Sequence, residues 1–310
     1  MVLNNLLKII LSLLLLAFAI SSIDFDVFVT KLFQLKPAYL IGAFVIQFCL
    51  SFVQALRWRI IVACLGTHIT TLGAWKNVFL GLFFNQILPT SIGGDAIRIY
   101  AAKTLGLGLA FHSIVYDRVF ALVSLSGLGI FIVIWFTKNN QPLPHELPML
   151  GLQLLVMLGF LFLLLIEPFS RLFHIERFPF IKKINNFSKF LRCICSDRVR
   201  LLQILLLSLF IHLAVSASGI LLFLSMEVEA SIWALGAIFA LVNLFSVIPI
   251  SIAGWGLRES LALTLYSTVL LDVEMALIVS ICFGFVMMAV GGVGGFIWAV
   301  SGKSGKGLKV

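Results

Sequence analysis

Apolar residues run through this chain in long blocks, with short polar intervals between them. The blocks are Leu3–Ile23, Ala38–Leu56, Asn77–Tyr100, Ala110–Phe136, Leu147–Ile166, Leu201–Leu224, Ser231–Leu271 and Met275–Val300. Most are long enough to cross a hydrocarbon layer as a helix. Alternation with period two, the mark of a membrane β-barrel, is absent. The pattern predicts an all-α polytopic integral membrane protein of about eight apolar elements. Two blocks differ from the rest. Asn77–Tyr100 and Ser231–Leu271 carry Pro and Gly in their middles. The second is too long for one helix and short for two.

Those two breaks use one phrase. Residues 88–98 read LPTSIGGDAIR and residues 248–258 read IPISIAGWGLR. In register, Pro89 matches Pro249, Ser91 matches Ser251, Gly94 matches Gly254 and Arg98 matches Arg258. Gly93 and Gly256 add further flexible positions. A broken helix frees backbone groups that hydrocarbon cannot satisfy, so protein or a watery cavity must surround it. Paired breaks in the two halves of a membrane chain point to a transporter-like binding site.

Composition agrees with the pattern. The chain is 61% hydrophobic and 11% charged, against roughly 45–50% and 25% in soluble domains. The net charge of +9 fits loops that set membrane orientation. No basic stretch is interleaved with aromatics on a soluble domain, so a nucleic-acid partner is excluded. Eight Lys/Arg lie between Ile166 and Leu201, which places that basic loop (167–200) in the cytoplasm. Working outward, 24–36, 137–146 and 227–229 lie outside, while 57–76, 98–103 and both termini lie inside. Asn77–Tyr100 then enters from and returns to the cytoplasm, and Ser231–Leu271 does the same from outside. The expectation is about six full spans plus two re-entrant hairpins in an inverted repeat. A single domain covers 1–310, with pseudo-repeat halves 1–136 and 147–300, in the cell's inner membrane. An alternative stays open, in which Ser231–Ala253 crosses fully. The first block also has some features of a cleavable signal peptide, but its length favours a retained helix.

Candidate chemistry is sparse. Charged side chains at membrane depth are expensive unless paired or wet. Asp95, Arg98, Asp117, Arg118, Arg258 and Glu259 are therefore candidates for substrate binding. A guanidinium offers phosphate two parallel charged bonds. Helix starts after Gly94 and Gly254 would add backbone donors. The plainer readings stand beside these. Arg98 could simply mark the cytoplasmic surface. Asp117 and Arg118 could form a structural network with Asp95 and Arg98. Ser91 and Ser251 read as caps for freed backbone rather than nucleophiles. Asn85 could satisfy backbone or touch a head group, and Asn243 is its counterpart. His212 reads as a helix–helix contact. The five histidines show no metal spacing, and the five cysteines read as free thiols. No cofactor or metal is expected.

The run NQILPTSIGGDAIRIY, followed by SIVYDRVFALVSL, resembles the flippase-like membrane region of lysylphosphatidylglycerol synthases and the stand-alone UPF0104 membrane proteins related to it. The matching pieces are Pro89, Gly93-Gly94-Asp95, Arg98 and Asp117-Arg118, then Pro249, Ser251, Gly254, Gly256 and Glu259. Ala253 and Trp255 stand where a more Gly-rich phrase is expected. The resemblance implies a protein that moves or binds anionic or lipid-linked substrates across the bilayer. In the fused synthases a soluble C-terminal domain transfers the aminoacyl group, and this chain is not expected to be an enzyme. The partners implied are membrane lipids, such as anionic phospholipid or a polyprenyl-phosphate-linked substrate. The alternative function is an accessory subunit presenting a lipid to a cell-envelope glycosyltransferase or lipid-modifying enzyme, with that enzyme or a second copy as partner.

Overall fold

A computed structural model describes residues 14, 21, 25–88, 93–141, 143–173, 178–248, 251, 253–270, 272 and 274–302. The first expected span apart from Leu14 and Ser21, and Pro89, Ser91 and Pro249, lie outside the described residues.

Among the described residues eleven α-helices follow one another: α1 (Phe25–Phe33), α2 (Pro37–Cys64), α3 (Thr71–Ile87), α4 (Gly93–Ala101), α5 (Leu107–Lys138), α6 (Glu146–Leu172), α7 (Pro179–Ser196), α8 (Arg198–Leu224), α9 (Ile232–Ser246), α10 (Leu257–Tyr266) and α11 (Glu274–Gly302). Five of them, α2, α5, α6, α8 and α11, are long and apolar enough to cross a membrane. They coincide with the five unbroken blocks that fall on described residues. The protein is an all-helical, multi-pass membrane protein.

Both broken blocks fold back on themselves. The Asn77 amide donates to the Arg98 carbonyl at 2.9 Å, so α4 returns alongside α3. A nine-residue helix is about 14 Å long, too short for a hydrocarbon core of about 30 Å. The Tyr266 hydroxyl donates to the Leu235 carbonyl at 2.7 Å, so α10 returns alongside α9. The second block thus folds back as a pair of helices, 15 and 10 residues long.

The seam between the halves is α2 against α8. Gln47 donates to Ser218 and Arg57 to Ser208, while Arg200 reaches Cys64. As one number rises the other falls by nearly the same step, so the helices run antiparallel. Some contacts cross this seam. The first hairpin packs on α11 through α3, and the second packs on α5 through α9.

Helix burial follows position. Among the spans α11 is the most enclosed, with 61% of its apolar window buried against 11% for α6. On α6, Leu155, Leu158, Phe162 and Leu165 stay exposed, as expected of a flank facing lipid tails. The basic interval 167–200 is not a plain loop, because α7 fills most of it. Phe187, Phe190 and Ile194 recur at helical spacing and pack with Leu191 against Ile61, Tyr116 and Phe120. Arg192 of α7 and Arg171 both bind Glu167 of α6. Charged pairs pin one end of the bundle as well, with Lys31 to Asp272 at 2.8 Å and Lys36 to Glu227 at 2.5 Å.

Candidate functional site

Each hairpin buries its arginine in its own cluster. In the first, α4 starts where Asn85 of α3 accepts a hydrogen bond from the Gly94 N–H at 3.0 Å. This side chain does a capping task, satisfying one of the orphan donors of a helix start. A Cβ on Gly94 would run into the Gly81 carbonyl and Asn85, so the arms touch backbone to backbone.

One turn on, Arg98 lies 5% exposed. Its Nε donates to Asn77 Oδ1 at 3.0 Å. Its Nη1 lies 3.5 Å from Asp117 and 3.6 Å from Asp95. Its Nη2 is buried and has no hydrogen-bond partner among the described residues. The guanidinium stacks over Trp58, 5.2 Å from the ring centroid, a favourable placement for a cation.

The acids are shared. Asp117 accepts from Arg57 Nε at 2.8 Å, and Arg57 also reaches Ser208 of α8. Asp95 accepts two bonds from Arg118, at 2.8 and 2.9 Å. Arg118 keeps a side chain 46% exposed, while Asp117 is 5% exposed. The cluster therefore holds three guanidiniums (Arg57, Arg98, Arg118) and two carboxylates (Asp95, Asp117). These are the charges that act on Arg98. The sum is one positive charge in excess, and Arg98 carries the free N–H edge.

The second cluster closes differently. Ala253, Gly254 and Gly256 all take positive φ, at 50°, 82° and 81°, a conformation natural for glycine and strained for alanine. The Gly256 N–H donates to Glu259 Oε2 at 2.6 Å. The other oxygen of Glu259 accepts from Arg258 Nη2 at 2.8 Å and from Ser280 at 2.8 Å. Arg258 Nε also donates to Ser280 at 3.0 Å. The guanidinium faces Trp255 and Phe283. One cation meets one anion, and no buried polar atom of either is left without a partner. Ser251, 2% exposed, has a buried hydroxyl without a partner among the described residues.

The sequence candidates thus gather into two groups rather than one. Asp95, Arg98, Asp117 and Arg118 form the first, joined by Asn85 as a cap. Arg258 and Glu259 form the second. Asn243 bonds back to its own helix, at Phe239 O. His212 meets the Ala121 carbonyl across α8 and α5 at 3.0 Å. No group of metal-binding side chains occurs among the described residues. Sequence reasoning missed Arg57, Asn77 and Ser280. Arg57 read as a loop charge ending the second span, but α2 continues two turns past it and buries it. Asn77 and Ser280 are lone polar residues in apolar helices, and their spacing carried no warning.

Comparison with known proteins places this architecture. The model of the family described as the lysylphosphatidylglycerol synthase TM region matches residues 5–295. The UPF0104 membrane protein MJ1595 of Methanocaldococcus jannaschii is 25% identical over 292 residues, with 83% of each chain covered. Since the match takes in both hairpins and nearly every helix, the chain belongs to the family of lysylphosphatidylglycerol synthase TM regions.

Proposed function

We propose that this protein is a lipid flippase or lipid-binding transporter, and that the first hairpin receives the anionic group of its substrate. The observation that carries this reading is the unbalanced cluster. A buried polar group without a partner costs about 1–3 kcal/mol, more when charged. A chain with so few charges would not keep a surplus guanidinium at membrane depth for packing alone. A phosphate or carboxylate at Arg98 Nη2 would balance the charge and complete the hydrogen bonding. Trp58 and Asn77 hold the fork in one orientation before the anion arrives, so little ordering remains to oppose binding.

The arrangement also supports movement. Hairpins that stop within the membrane leave helix ends there, and transporters gather substrate at such ends. Acyl or prenyl chains can stay in lipid while the head group enters. The basic end of the bundle, where Arg200 meets Cys64, is the cytoplasmic one by the charge rule. The membrane is then the cell's inner membrane, with both termini cytoplasmic, and the substrate is an anionic or polyprenyl-phosphate-linked lipid.

The test is the lipid that purifies with the protein in native nanodiscs, identified by mass spectrometry beside Arg98→Ala. One anionic class enriched in the wild type and lost in the variant supports the reading. Bound lipid matching the bulk membrane in both proteins rejects it, and favours an accessory role that presents lipid to a partner enzyme.

A further inference from the structure

A groove of about 690 Å³ runs along the seam between α2 and α8, beside the start of α3 and clear of Arg98 and Arg258. Leu56 and Ile60 of α2 face Leu206 and Leu207 of α8 across it. Arg59 and Arg200 stand on its rim, one from each half of the molecule. Arg200 also reaches Cys64 of α2, five residues beyond Arg59. Five residues of helix rise roughly 7 Å, so the two cations edge one end of the groove in succession. Arg59 donates to Thr71, and Arg200 is 3.2 Å from Asp197. His68 and Gln203 add polar groups, and no carboxylate lines the wall.

The groove is distinct from the Arg98 cluster. Arg57 and Arg59 are two residues apart, which on an α-helix turns them roughly 200° from each other. Arg57 points to Asp117, so Arg59 looks out on the opposite side of α2. One helix therefore serves two sets of charges that do not share partners.

We propose that this groove binds an anionic phospholipid, with its phosphate between Arg59 and Arg200 and an acyl chain along the leucines. The shape and the charge both select that occupant. An apolar trough with a cationic rim matches a molecule with a chain below and an anion above. A zwitterionic lipid would bring its own cation to the rim and gain less. A bound lipid would tie α2 to α8 and so join the two halves at their seam.

The experiment uses the whole protein in nanodiscs of equimolar phosphatidic acid and phosphatidylcholine, with retained lipid counted by native mass spectrometry. Wild type should retain phosphatidic acid several-fold over phosphatidylcholine, and Arg59→Ala/Arg200→Ala should lose the groove's share of it, a drop of about one phosphatidic acid per protein. Leu206→Trp, which fills the trough and leaves both charges, should lose that share too. Arg98→Ala should lose only the hairpin's share of the bound phosphatidic acid and keep the groove's, and the triple variant should lose both, which separates the two sites. An undiminished count in the double variant overturns the proposal, as does loss of the groove's share in Arg98→Ala alone. Displacement of the lipid by an equal concentration of inorganic phosphate would show an anion site without a lipid groove, and would overturn it as well.

Discussion

The two hairpins are written in nearly the same words and balanced in opposite ways. Each sets an arginine against a glycine of a packed helix, Gly81 for Arg98 and Gly284 for Arg258, where any Cβ would strike the side chain. Each lays the guanidinium on an aromatic face, Trp58 in one and Trp255 in the other. The difference lies in where the acid stands. In the second hairpin Glu259 directly follows the arginine, so one carboxylate caps α10 and neutralises Arg258. In the first, Asp95 precedes Arg98 by three residues and turns to Arg118 instead. Arg98 must then share Asp117 with Arg57. A shift of the acid by a few positions separates a closed, neutral joint from a site with charge to spare. Under the proposed function, the contrast gives stability to one copy and recognition to the other.

That assignment can be broken by substitution. The largest effect should come from Glu259→Ala. It leaves Arg258 buried without its anion, and breaking such a pair costs about 3–5 kcal/mol. Chemical unfolding in detergent should show a loss of that size, and an unchanged midpoint would mean the second cluster is not structural. Gly94→Val comes next. The added side chain meets backbone as well as Asn85, and overpacking of this kind costs about 1–3 kcal/mol. Its unfolding midpoint should fall while the second cluster stays intact.

Arg98→Ala should behave unlike either. Asp117 keeps Arg57 and Asp95 keeps Arg118, so the cluster becomes neutral and stability changes little. Anion binding should weaken at least tenfold, about 1.4 kcal/mol. Arg98→Lys should recover little of it, because an ammonium lacks the planar fork. A variant that unfolds but still binds would exchange the roles of the two hairpins.

The smallest effect belongs to a pair outside both. Lys36 and Glu227 are exposed, and each shifts the other: the hydrogen bond holds the Glu227 carboxyl below its usual range and the Lys36 ammonium above its own. A lowered carboxylate contributes stability above its unfolded pKa and loses it as pH falls through the folded one. A raised ammonium contributes below its unfolded pKa and loses it as pH rises through the folded one. Both contributions are present at neutral pH. Lys36→Ala should leave the neutral midpoint within error, because exposed pairs are screened. A large shift would mean this end of the bundle is held by its charges.

Much of the fold was legible because its signals are strong in lipid. Five long blocks became five helices long and apolar enough to span, and each block interrupted by Pro and Gly became two short helices that fold back on each other, as broken helices in hydrocarbon need protein around them. The hidden parts were those with a sufficient simpler explanation. Arg57 sits where an apolar run meets basic residues, and the charge rule accounts for it without burial. The helix α7 shows its period in Phe187, Phe190, Leu191 and Ile194, yet a region counted for charge was not read for spacing. At the site, Asp95, Arg98, Asp117 and Arg118 stood out as rare charges. Their division of partners depends on side-chain reach across α2, α4 and α5, which no linear spacing records.

The central position of α11 has a consequence for biogenesis. Gly291, Gly294 and Gly295 lie against the α3 backbone and Phe83, so closely that a Cβ at Gly294 would strike the Phe79 carbonyl. Yet α11 leaves the ribosome after every other described helix. The flank of α3 must therefore wait, unsheltered by its final neighbour, while some two hundred residues are inserted. The insertion machinery or a chaperone has to tolerate a half-built bundle through that interval. A chain stalled before residue 274 should be degraded rapidly, although its first hairpin is already made.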